Sequence, residues 1–486
     1  MKMSSKHLAP AAALLWVLTG CAGDEKEDGD ANATSVWPSY GHDGKNTRFN
    51  AEETAITRDN VSKLVKKWDS VSVGTTHWGV TSTVAVTDGV AYFGDWGGML
   101  FAVDAKTGKK VWRTQLAPAT TGLSAQLNAS PFVSEDRVYL GGVDNAVYSV
   151  DRKTGEPIWK PSALAGNQSS VILWSSPNVV DNTLLIGVGS FEVFTGAPGA
   201  YTFRGNLVMM DATSGAVQHT TYVTNGDDTS GYGCSIWGSA AIDTDRKTAY
   251  VGVGQSYSAP ASTLSDSVIA VDYTTGELKW GYQFTMNDIW TASAGNGEDW
   301  DVGASVVLYE VNGQPLVGAG DKGGHFYALN RDTGTLVWGT ELTPGGRTGG
   351  VMASPAVADG VIYVYSNDGI AENFGSDGPT AGSAFAIDGA TGNHIWETKF
   401  QQGAFGGIAV ANGLMFFTTL DGSIHALNTE NGQELWTDKL LGGMATESAG
   451  GVTVAGGMVY AGAGWDWAPL ADPPPGGVTA YALPEK

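Results

Sequence analysis

A short motif, written A-x-(D/N)-x-x-(T/N)-G-x-x-x-W, recurs along the chain and constrains the fold more than any other feature. A further copy, MMDATSGAVQH, carries His219 where the others have tryptophan. Each copy follows a segment in which apolar residues alternate with other residues, as in GVAYFGDWGGMLFAVD at 89–104. Recurrence at intervals of about 40 to 60 residues predicts a repeat architecture in which neighbouring units bury each other's faces. The tryptophans that end the motif are Trp112, Trp159, Trp280, Trp338, Trp396 and Trp436.

Each unit has the pattern of a small antiparallel sheet. Period-two alternation interrupted by Asp-Gly or Gly-Gly is typical of β-hairpins. Within the motif, the Asp or Asn side chain can accept hydrogen bonds in a turn, and the Gly can adopt the positive φ that a chain reversal needs. The tryptophan then lies in an outer strand and can pack on the next unit. A four-stranded unit that cannot bury its own faces is a propeller blade, so the predicted fold class is all-β.

The two ends of the chain complete the count of blades. Seven outer strands come from the motif copies, and LVKKW, ending at Trp68, predicts another one that has no inner strands beside it. The C-terminal segments MVYAGAGW and GVTAYALPEK supply inner strands without an outer one. We therefore expect a single eight-bladed β-propeller in which the N-terminal strand closes the last blade and removes an exposed sheet edge. Seven blades or two stacked propellers are the alternatives, and both leave strands without a partner.

The charge and the cysteines exclude two classes of protein. The net charge is −23 and the isoelectric point is near 4.5, so binding to a phosphate backbone is electrostatically unfavourable and nucleic acid is excluded as a partner. Cys21 and Cys234 are the two cysteines of the sequence. They make no disulfide framework, and neither lies in a C-x-x-C-H motif for covalent haem attachment.

The N-terminus has the pattern of a lipoprotein leader. Residues 1–20 combine a short basic start with an apolar run, and Leu-Thr-Gly-Cys ends at Cys21, which is the expected lipidation site. An ordinary secretory signal with an incidental cysteine is the alternative. Residues 21–36 are acidic and small, which predicts a flexible tether before a propeller over 37–486. Ala22 after the cysteine favours outer-membrane sorting, so we expect a lipid-anchored protein of the bacterial cell envelope that faces the periplasm.

The repeats, together with WPSYGHDGKNTRFN and NVSKLVKKW near the N-terminus, resemble those of quinoprotein dehydrogenases. Members of that family bind pyrroloquinoline quinone (PQQ) on the axis of an eight-bladed propeller. The spacing from NDIW to EDWD is closer to the polyvinyl alcohol dehydrogenases than to the methanol dehydrogenases. The resemblance implies oxidation of primary or secondary alcohols, polymeric ones included, by hydride transfer to the quinone. Electrons then pass to a separate cytochrome c or membrane carrier.

The resemblance also assigns roles to individual residues. GVGSFE places a calcium ligand at Glu192, and AYVGVGQ places a second at Gln255, where the family has asparagine. GCSIWGSAAID maps Trp237 to the floor beneath the quinone, and GAGDKGGHFYALN maps Lys322 to its reactive carbonyl oxygen. The resemblance also places the catalytic base in EDWD, where Asp301 is preferred and Asp299 remains the alternative, and it makes Asp301 a further metal ligand.

The residue types suit this chemistry on their own. Calcium takes six to eight oxygen ligands, which carboxylates, a carboxamide and quinone oxygens can provide. An aspartate in the pocket can accept the alcohol proton, and a lysine can stabilise oxyanion character on the reduced quinone. The chain departs from the methanol-oxidising members in having no adjacent cysteine pair, and GGVDNAVYS occupies the corresponding segment. A non-catalytic lipoprotein propeller that binds partner proteins is the competing hypothesis, and a polysaccharide-binding propeller is a third.

Overall fold

The computed structural model describes residues 35–71, 74, 79–117, 127–159, 164, 168, 170–294, 297–369, 381–443, 448–464 and 476–485. These residues form eight antiparallel sheets, which are the blades of a single eight-bladed β-propeller. The predicted fold class and blade number are confirmed. The leader at 1–20, Cys21 and the tether up to residue 34 lie outside the described residues. Ser35, placed in the tether by the sequence, is 4% exposed and accepts a hydrogen bond from Asn50 Nδ2.

The strands follow one another as consecutive blades. Blades 1 and 2 contain β2 (Ala85–Thr87), β3 (Val90–Gly94), β4 (Met99–Asp104), β5 (Lys110–Gln115), β6 (Phe132–Val133), β7 (Arg137–Gly142), β8 (Ala146–Asp151) and β9 (Pro157–Trp159). Blades 3 and 4 contain β10 (Val171–Ile172), β11 (Asn178–Val180), β12 (Thr183–Ser190), β13 (Asn206–Asp211), β14 (Val217–Tyr222), β15 (Ala241–Asp243), β16 (Thr248–Val253), β17 (Ser267–Asp272) and β18 (Leu278–Gln283). Blades 5 and 6 contain β19 (Val307–Val311), β20 (Gln314–Gly320), β21 (His325–Asn330), β22 (Leu336–Glu341), β23 (Ala356–Ala358), β24 (Val361–Asn367), β25 (Gly382–Asp388) and β26 (His394–Phe400). Blades 7 and 8 contain β27 (Ala409–Ala411), β28 (Leu414–Thr418), β29 (Ser423–Asn428), β30 (Glu434–Lys439), β31 (Thr453–Ala455), β32 (Met458–Ala463), β33 (Gly477–Ala482) and β1 (Val65–Asp69).

The last blade is closed by the two ends of the chain. Strand β1, which carries Trp68, pairs antiparallel with β33, with Trp68 opposite Ala480. The N-terminal strand therefore covers an edge that β33 would otherwise expose, as the sequence predicts. Helical structure among the described residues is confined to α1 (Glu192–Thr195) and two 3₁₀ turns, Val61–Lys63 and Leu440–Gly443. None of these segments is long and apolar enough to cross a membrane.

The motif tryptophans join each blade to the next. Trp112 Nε1 donates to the carbonyl of Arg152 at 2.9 Å, and a Cβ on Gly155 would lie 2.5 Å from the Trp112 ring. The motif glycine is therefore required by the packing of the neighbouring indole as well as by its positive φ of 74°. His219 lies beside Gly276 in the same way, so it takes the place of a tryptophan between blades 3 and 4. The other tryptophans with this indole-to-carbonyl bond are Trp68, Trp159, Trp280, Trp338 and Trp396.

A ring of small residues surrounds the axis just before the innermost strands. In five successive steps from blade 1 to blade 6, the backbone N–H of one blade donates to the hydroxyl of the next at 2.8 to 2.9 Å. These bonds tie neighbouring blades together at their closest approach. The ring positions in blades 1 to 8 are Thr83, Ser130, Ser176, Ser239, Ser305, Ser354, Gly407 and Gly451.

Arg48 fills the space that the two ring glycines leave. A Cβ on Gly407 would lie 2.6 Å from Arg48 Cζ, so a serine at this position is incompatible with the arginine. The guanidinium is fully buried and donates to the carbonyls of Gly407 at 3.2 Å, Val452 at 3.1 Å and Ile408. Burial lowers the pKa of Arg48 to about 10. Carbonyl oxygens thus compensate a charge that no carboxylate of the described residues neutralises.

Residues 37–50 form a strap across one end of the axial channel. Trp37 pairs with the innermost strand of blade 1, and later residues of the strap hydrogen-bond to each following blade in order. The strap therefore connects all eight blades. It lies on one side of the ring of small residues, and a cavity lies on the other side. Its partners in blades 1 to 8 are Val86, Val133, Asn178, Ile242, Leu308, Val357, Val410 and Val454.

Candidate active site

A cavity of about 600 Å³ lies on the axis, on the side of the ring of small residues that faces away from the strap. Its wall includes the residues two positions before the ring in every blade. Such a concave, mostly apolar site with a few polar groups is typical of small-molecule and cofactor sites. These wall residues are Thr81, Asn128, Trp174, Trp237, Gly303, Met352, Phe405 and Ala449.

Trp237, which the resemblance assigns to the floor beneath a quinone, lines this cavity. The ring lies against Gly303 of the next blade, where a Cβ would come within 2.6 Å of Trp237 Cε2 and closer to two further ring atoms. Trp174 meets Trp237 edge to face, with ring centroids 6.3 Å apart. The absence of a side chain at Gly303 therefore makes room for the Trp237 indole, whose other neighbour is Trp174.

Lys322 and the two candidate bases form one buried ion cluster. Lys322 Nζ lies 2.9 Å from Oδ2 of Asp299 and 2.9 Å from Oδ2 of Asp301. Burial alone would lower the pKa of Lys322, but the two carboxylates outweigh it and hold that pKa above its ordinary value. Burial raises the pKa of Asp299 well above its usual range. The sequence-predicted residues Asp299, Asp301 and Lys322 therefore meet at one place in the cavity wall.

The two aspartates differ in their remaining partners. Asp301 Oδ1 accepts a hydrogen bond of 2.7 Å from the backbone N–H of Gln255, so both of its oxygens are engaged. Asp299 Oδ1 accepts none within the described part of the chain, although the residue is fully buried and held at a positive φ of 61°. A buried carboxylate oxygen without a donor is costly unless a ligand or a proton satisfies it.

The predicted metal ligands fall into two groups. Gln255 and Asp301 line the cavity. Glu192 is buried at the start of α1, and its carboxylate accepts hydrogen bonds from Thr202 N, Thr202 Oγ1 and Phe203 N at 2.7 to 3.1 Å. It is not among the residues that line the cavity. Within the described residues, no group of three His, Cys, Asp or Glu side chains is arranged to hold a metal.

Two further buried aspartates surround the cluster and were not singled out from the sequence. Burial, together with repulsion from neighbouring carboxylates, raises the pKa of Asp266 well above its usual range and raises that of Asp288. Asp266 is fully buried, and neither of its carboxylate oxygens has a hydrogen-bond partner in the described structure. Both residues come from loops of blade 4 and its exit to blade 5, so sequence spacing carried no sign of their proximity to Lys322.

A glycine-rich loop that sequence reasoning also missed places Arg347 and Thr348 in the cavity wall. Arg347 lies over the indole of Trp290, with Cζ 5.5 Å from the ring centroid. Thr348 is 6% exposed, and its Oγ1 has no partner among the described groups. The signal that could have identified the loop is the pair of glycines on each side in GGRTGG.

Two other sequence expectations can be located. Cys234 is a free, fully buried thiol, and burial raises its pKa to about 12. The segment GGVDNAVYS forms the ends of β7 and β8 and the turn between them, and none of its side chains lines the cavity.

Comparison with known proteins places this geometry in a family. A family model described as "Outer membrane protein assembly factor BamB", PQQ_2, matches residues 60–280, 264–381 and 380–472, which is most of the chain. The chain belongs to the PQQ-repeat propeller family. Within that family it is similar to proteins named polyvinylalcohol dehydrogenase and quinohemoprotein alcohol dehydrogenase.

These relatives are similar to the protein along most of its length. It is 27% identical over 480 residues to a polyvinylalcohol dehydrogenase of Pseudomonas sp., covering 90% of this chain and 74% of the relative. It is 27% identical over 491 residues to a polyvinylalcohol dehydrogenase of Sphingopyxis sp., covering 90% of this chain and 73% of the relative. The crystal structure of quinohemoprotein alcohol dehydrogenase from Comamonas testosteroni superposes with a TM-score of 0.73 at 20% identity, over 94% of this chain and 83% of that one. The structural likeness concerns the fold.

Proposed function

We propose that this protein oxidises primary or secondary alcohols, polymeric ones such as polyvinyl alcohol included, with PQQ bound in the axial cavity. The observation that carries the proposal is the meeting of Lys322 with Asp299 and Asp301 in the wall of the cavity that Trp237 also lines. A cation and a proton acceptor next to a flat aromatic surface are what hydride transfer from an alcohol to a quinone requires. The similarity to enzymes named alcohol dehydrogenases supports the same conclusion.

The cavity residues fit a flat, anionic heterocycle. Trp237 offers an apolar face against which a fused ring can stack. Lys322 and Arg347 are the cations among the described lining residues, and they suit the oxygens and carboxylates of such a cofactor. When bound, PQQ supplies the two-electron acceptor. The protein supplies the binding face, the positive charge and a site for the alcohol proton.

We assign proton abstraction to the pair formed by Asp299 and Asp301. Asp301 is held in place by Lys322 and Gln255, which bind one carboxylate oxygen each. Asp299 has an oxygen without a donor among the described residues and a raised pKa, and a carboxylate of raised pKa is the stronger base once ionised. Both carboxylates contact the same ammonium group, that of Lys322. Asp301 is the preferred base, with Asp299 as the alternative.

Calcium is the finer part of the proposal. Gln255 and Asp301 offer oxygen atoms at the cavity, and Glu192 would join them only after giving up its bonds to Thr202 and Phe203. This donor set suits a hard cation, although it is not assembled around one point, so no step of the mechanism is assigned to the metal. A calcium titration of the apoprotein monitored by thermal stability tests this assignment, because an ion that binds only the folded state raises the unfolding temperature.

We also propose where the protein works and how it is reoxidised. The sequence around Cys21 supports a lipid anchor in the outer membrane, with the propeller facing the periplasm. Mass spectrometry of the mature N-terminus tests this directly. We further propose that electrons pass to a separate cytochrome c or membrane carrier.

A second candidate function is a non-catalytic propeller that binds partner proteins. The description of the matching family model favours it, since it names an assembly factor. The buried cluster around Lys322 opposes it, because three ionisable side chains facing one cavity are costly to bury and a scaffold gains nothing from them.

Reconstitution decides between the two functions. Apoprotein supplied with PQQ and calcium is expected to reduce an artificial electron acceptor when a primary or secondary alcohol is added. A protein that takes up PQQ but turns over no alcohol would refute the dehydrogenase assignment. A protein that takes up no PQQ would leave the scaffold as the better account.

A further inference from the structure

The NDIW segment at 287–290 is built into blade 4 by backbone hydrogen bonds. Ser256 N donates to the carbonyl of Asp288 at 3.2 Å, and Trp290 N donates to the carbonyl of Ser256 at 3.0 Å. Ser256 follows Gln255, whose own N–H anchors one of the candidate bases. The segment is therefore fixed to the same stretch of chain that holds the catalytic cluster.

The carboxylate of Asp288 binds the backbone between the two candidate bases. Its Oδ2 accepts a hydrogen bond of 2.9 Å from the N–H of Trp300, and Asp288 is 2% exposed. Trp300 separates Asp299 from Asp301, so this N–H belongs to the peptide that follows Asp299. Asp288 is not among the residues that line the axial cavity, so any effect on the reaction must pass through the loop.

Asp299 depends on the conformation of this loop more than Asp301 does. Its φ is 61°, and a non-glycine residue keeps a left-handed conformation only where surrounding contacts hold it. Asp301 has further anchors, because Gln255 N donates to its Oδ1 at 2.7 Å and Lys322 N donates to its carbonyl at 3.0 Å. Within the described residues, the carboxylate of Asp299 has the ion pair with Lys322 and accepts no hydrogen bond from another group. A constraint on the peptide that follows Asp299 therefore matters for the position of its carboxylate.

Gly297 leaves the space that the Asp288 carboxylate occupies. A Cβ on Gly297 would lie 2.0 Å from Asp288 Oδ1 and 2.8 Å from Ile289 N. Gly297 N also donates to the carbonyl of Ile289 at 3.0 Å, so the chain that returns towards EDWD packs backbone to backbone on NDIW. An alanine at 297 would therefore displace the carboxylate from its place beside Trp300.

We propose that Asp288 is a positioning residue, which holds the peptide between Asp299 and Trp300 so that the Asp299 carboxylate meets Lys322. The catalytic part of this inference rests on the proposed function, whereas the hydrogen bond can be tested without it. The bond needs an oxygen acceptor at residue 288 and does not need a negative charge. A carboxamide at this position should therefore preserve the geometry, and a methyl group should not.

The experiment uses the full chain with Asp288→Ala, Asp288→Asn and Gly297→Ala. The first variant removes the acceptor, the second keeps an acceptor oxygen, and the third keeps Asp288 but displaces its carboxylate. If Asp288→Ala does not fold, Gly297→Ala provides the same readouts. The matched control is Asp421→Ala, because Asp421 Oδ1 accepts a bond of 3.2 Å from Ser423 N in a turn of blade 7 and Asp421 does not line the cavity.

The first measurement is hydrogen–deuterium exchange of the Trp300 amide in the apoprotein. Loss of a hydrogen bond to a charged acceptor should speed this exchange about ten- to hundredfold in Asp288→Ala, and Gly297→Ala should act in the same direction. Asp288→Asn and Asp421→Ala should keep the amide protected. Exchange in strand β16 should stay as in the wild type, which separates a change in the loop from general unfolding.

The second measurement is alcohol turnover after loading with PQQ. Asp288→Ala should lower kcat about ten- to hundredfold at an unchanged Kd for PQQ, because a misplaced proton acceptor slows the chemical step. Asp288→Asn should recover most of the lost kcat, and Asp421→Ala should turn over as the wild type does. A merely structural role would lower the unfolding temperature of Asp288→Ala without a fall in kcat.

Wild-type exchange of the Trp300 amide in Asp288→Ala overturns the inference, whatever the turnover. Faster exchange at a wild-type kcat also overturns it, because the loop then moves without consequence for the reaction. An equal loss of kcat in Asp288→Asn and Asp288→Ala would assign the effect to the charge and overturn the role of the acceptor. A wild-type chain that turns over no alcohol refutes the proposed function and the catalytic part of the inference, while exchange at Trp300 still decides the hydrogen bond, so the two failures are distinguishable.

Discussion

Gly303→Ala tests the predicted stacking face with the smallest possible change. The new Cβ would lie 2.6 Å from Trp237 Cε2 and closer to Cζ2 and Cη2. Carbon atoms pack at about 3.5 to 4.0 Å, so the indole must move away from the cavity wall by about 1 Å or more. Overpacking of this kind costs about 1 to 3 kcal/mol, and an aromatic contact contributes about 0.5 to 1.5 kcal/mol beyond the burial of its area. We expect the Kd for PQQ to rise at least tenfold, which corresponds to ~1.4 kcal/mol.

The assay is titration of the apoprotein with PQQ, with near-ultraviolet circular dichroism as a report on the tryptophan environment. Gly44→Ala is the matched control, because the nearest atom to its Cβ would be Ile242 Cβ at 4.0 Å and no positive φ is involved. The control is expected to bind PQQ as the wild type does. A Gly303→Ala protein that keeps both the wild-type Kd and the wild-type dichroism would show that Trp237 is not the stacking face.

Three further predictions concern the buried charges. Lys322→Met leaves two buried carboxylates without their cation. Urea denaturation should therefore show that the free energy of unfolding falls by about 3 to 5 kcal/mol at pH 8, and by less towards pH 5 as the carboxylates bind protons. An equal fall at both pH values would contradict the ion cluster. Asp301→Asn should retain PQQ binding and lower kcat by about 10² to 10⁴. Turnover that survives in Asp301→Asn but is lost in Asp299→Asn would move the role of base to Asp299. In that case, the acid limb of the wild-type kcat/KM profile should lie above the ordinary aspartate pKa of about 4, because the pKa of Asp299 is raised. Arg48→Met leaves several buried carbonyls without donors. Thermal and urea unfolding should show a free energy of unfolding lower by on the order of 3 to 6 kcal/mol. An unchanged unfolding temperature would mean that the strap contributes nothing to closure of the ring.

The repeat predicted the architecture because its determinants are local. The motif glycine and the motif tryptophan are both visible in one unit, and the structure pairs six of the outer-strand tryptophans with the next motif glycine, as at Trp112 and Gly155. Counting strands at the two ends was sufficient to predict the pairing of β1 with β33. The convergence of Asp299, Asp301 and Lys322 was predicted through the resemblance, and the structure brings these residues together.

Contacts made by the loops at the cavity were not readable from the sequence. Asp266 and Asp288 lie near the cluster on loops that do not follow the sequence repeat. Arg347 is placed by the packing of its loop backbone on the segment that carries Lys322. The role of Glu192 as a metal ligand stays a prediction, because the structure commits its carboxylate to Thr202 and Phe203. The spacing of residues along a strand determines which side chains share a face of the sheet. It does not determine which neighbouring group forms a hydrogen bond or ion pair with a given side chain.

The most direct test of the central claim is a crystal structure of the full chain grown with PQQ and calcium. The account predicts one quinone in the axial cavity, with its ring stacked on Trp237 and a carbonyl oxygen within hydrogen-bond distance of Lys322 Nζ. Density for the quinone outside the cavity, or a cavity that holds only solvent at saturating PQQ, would contradict it.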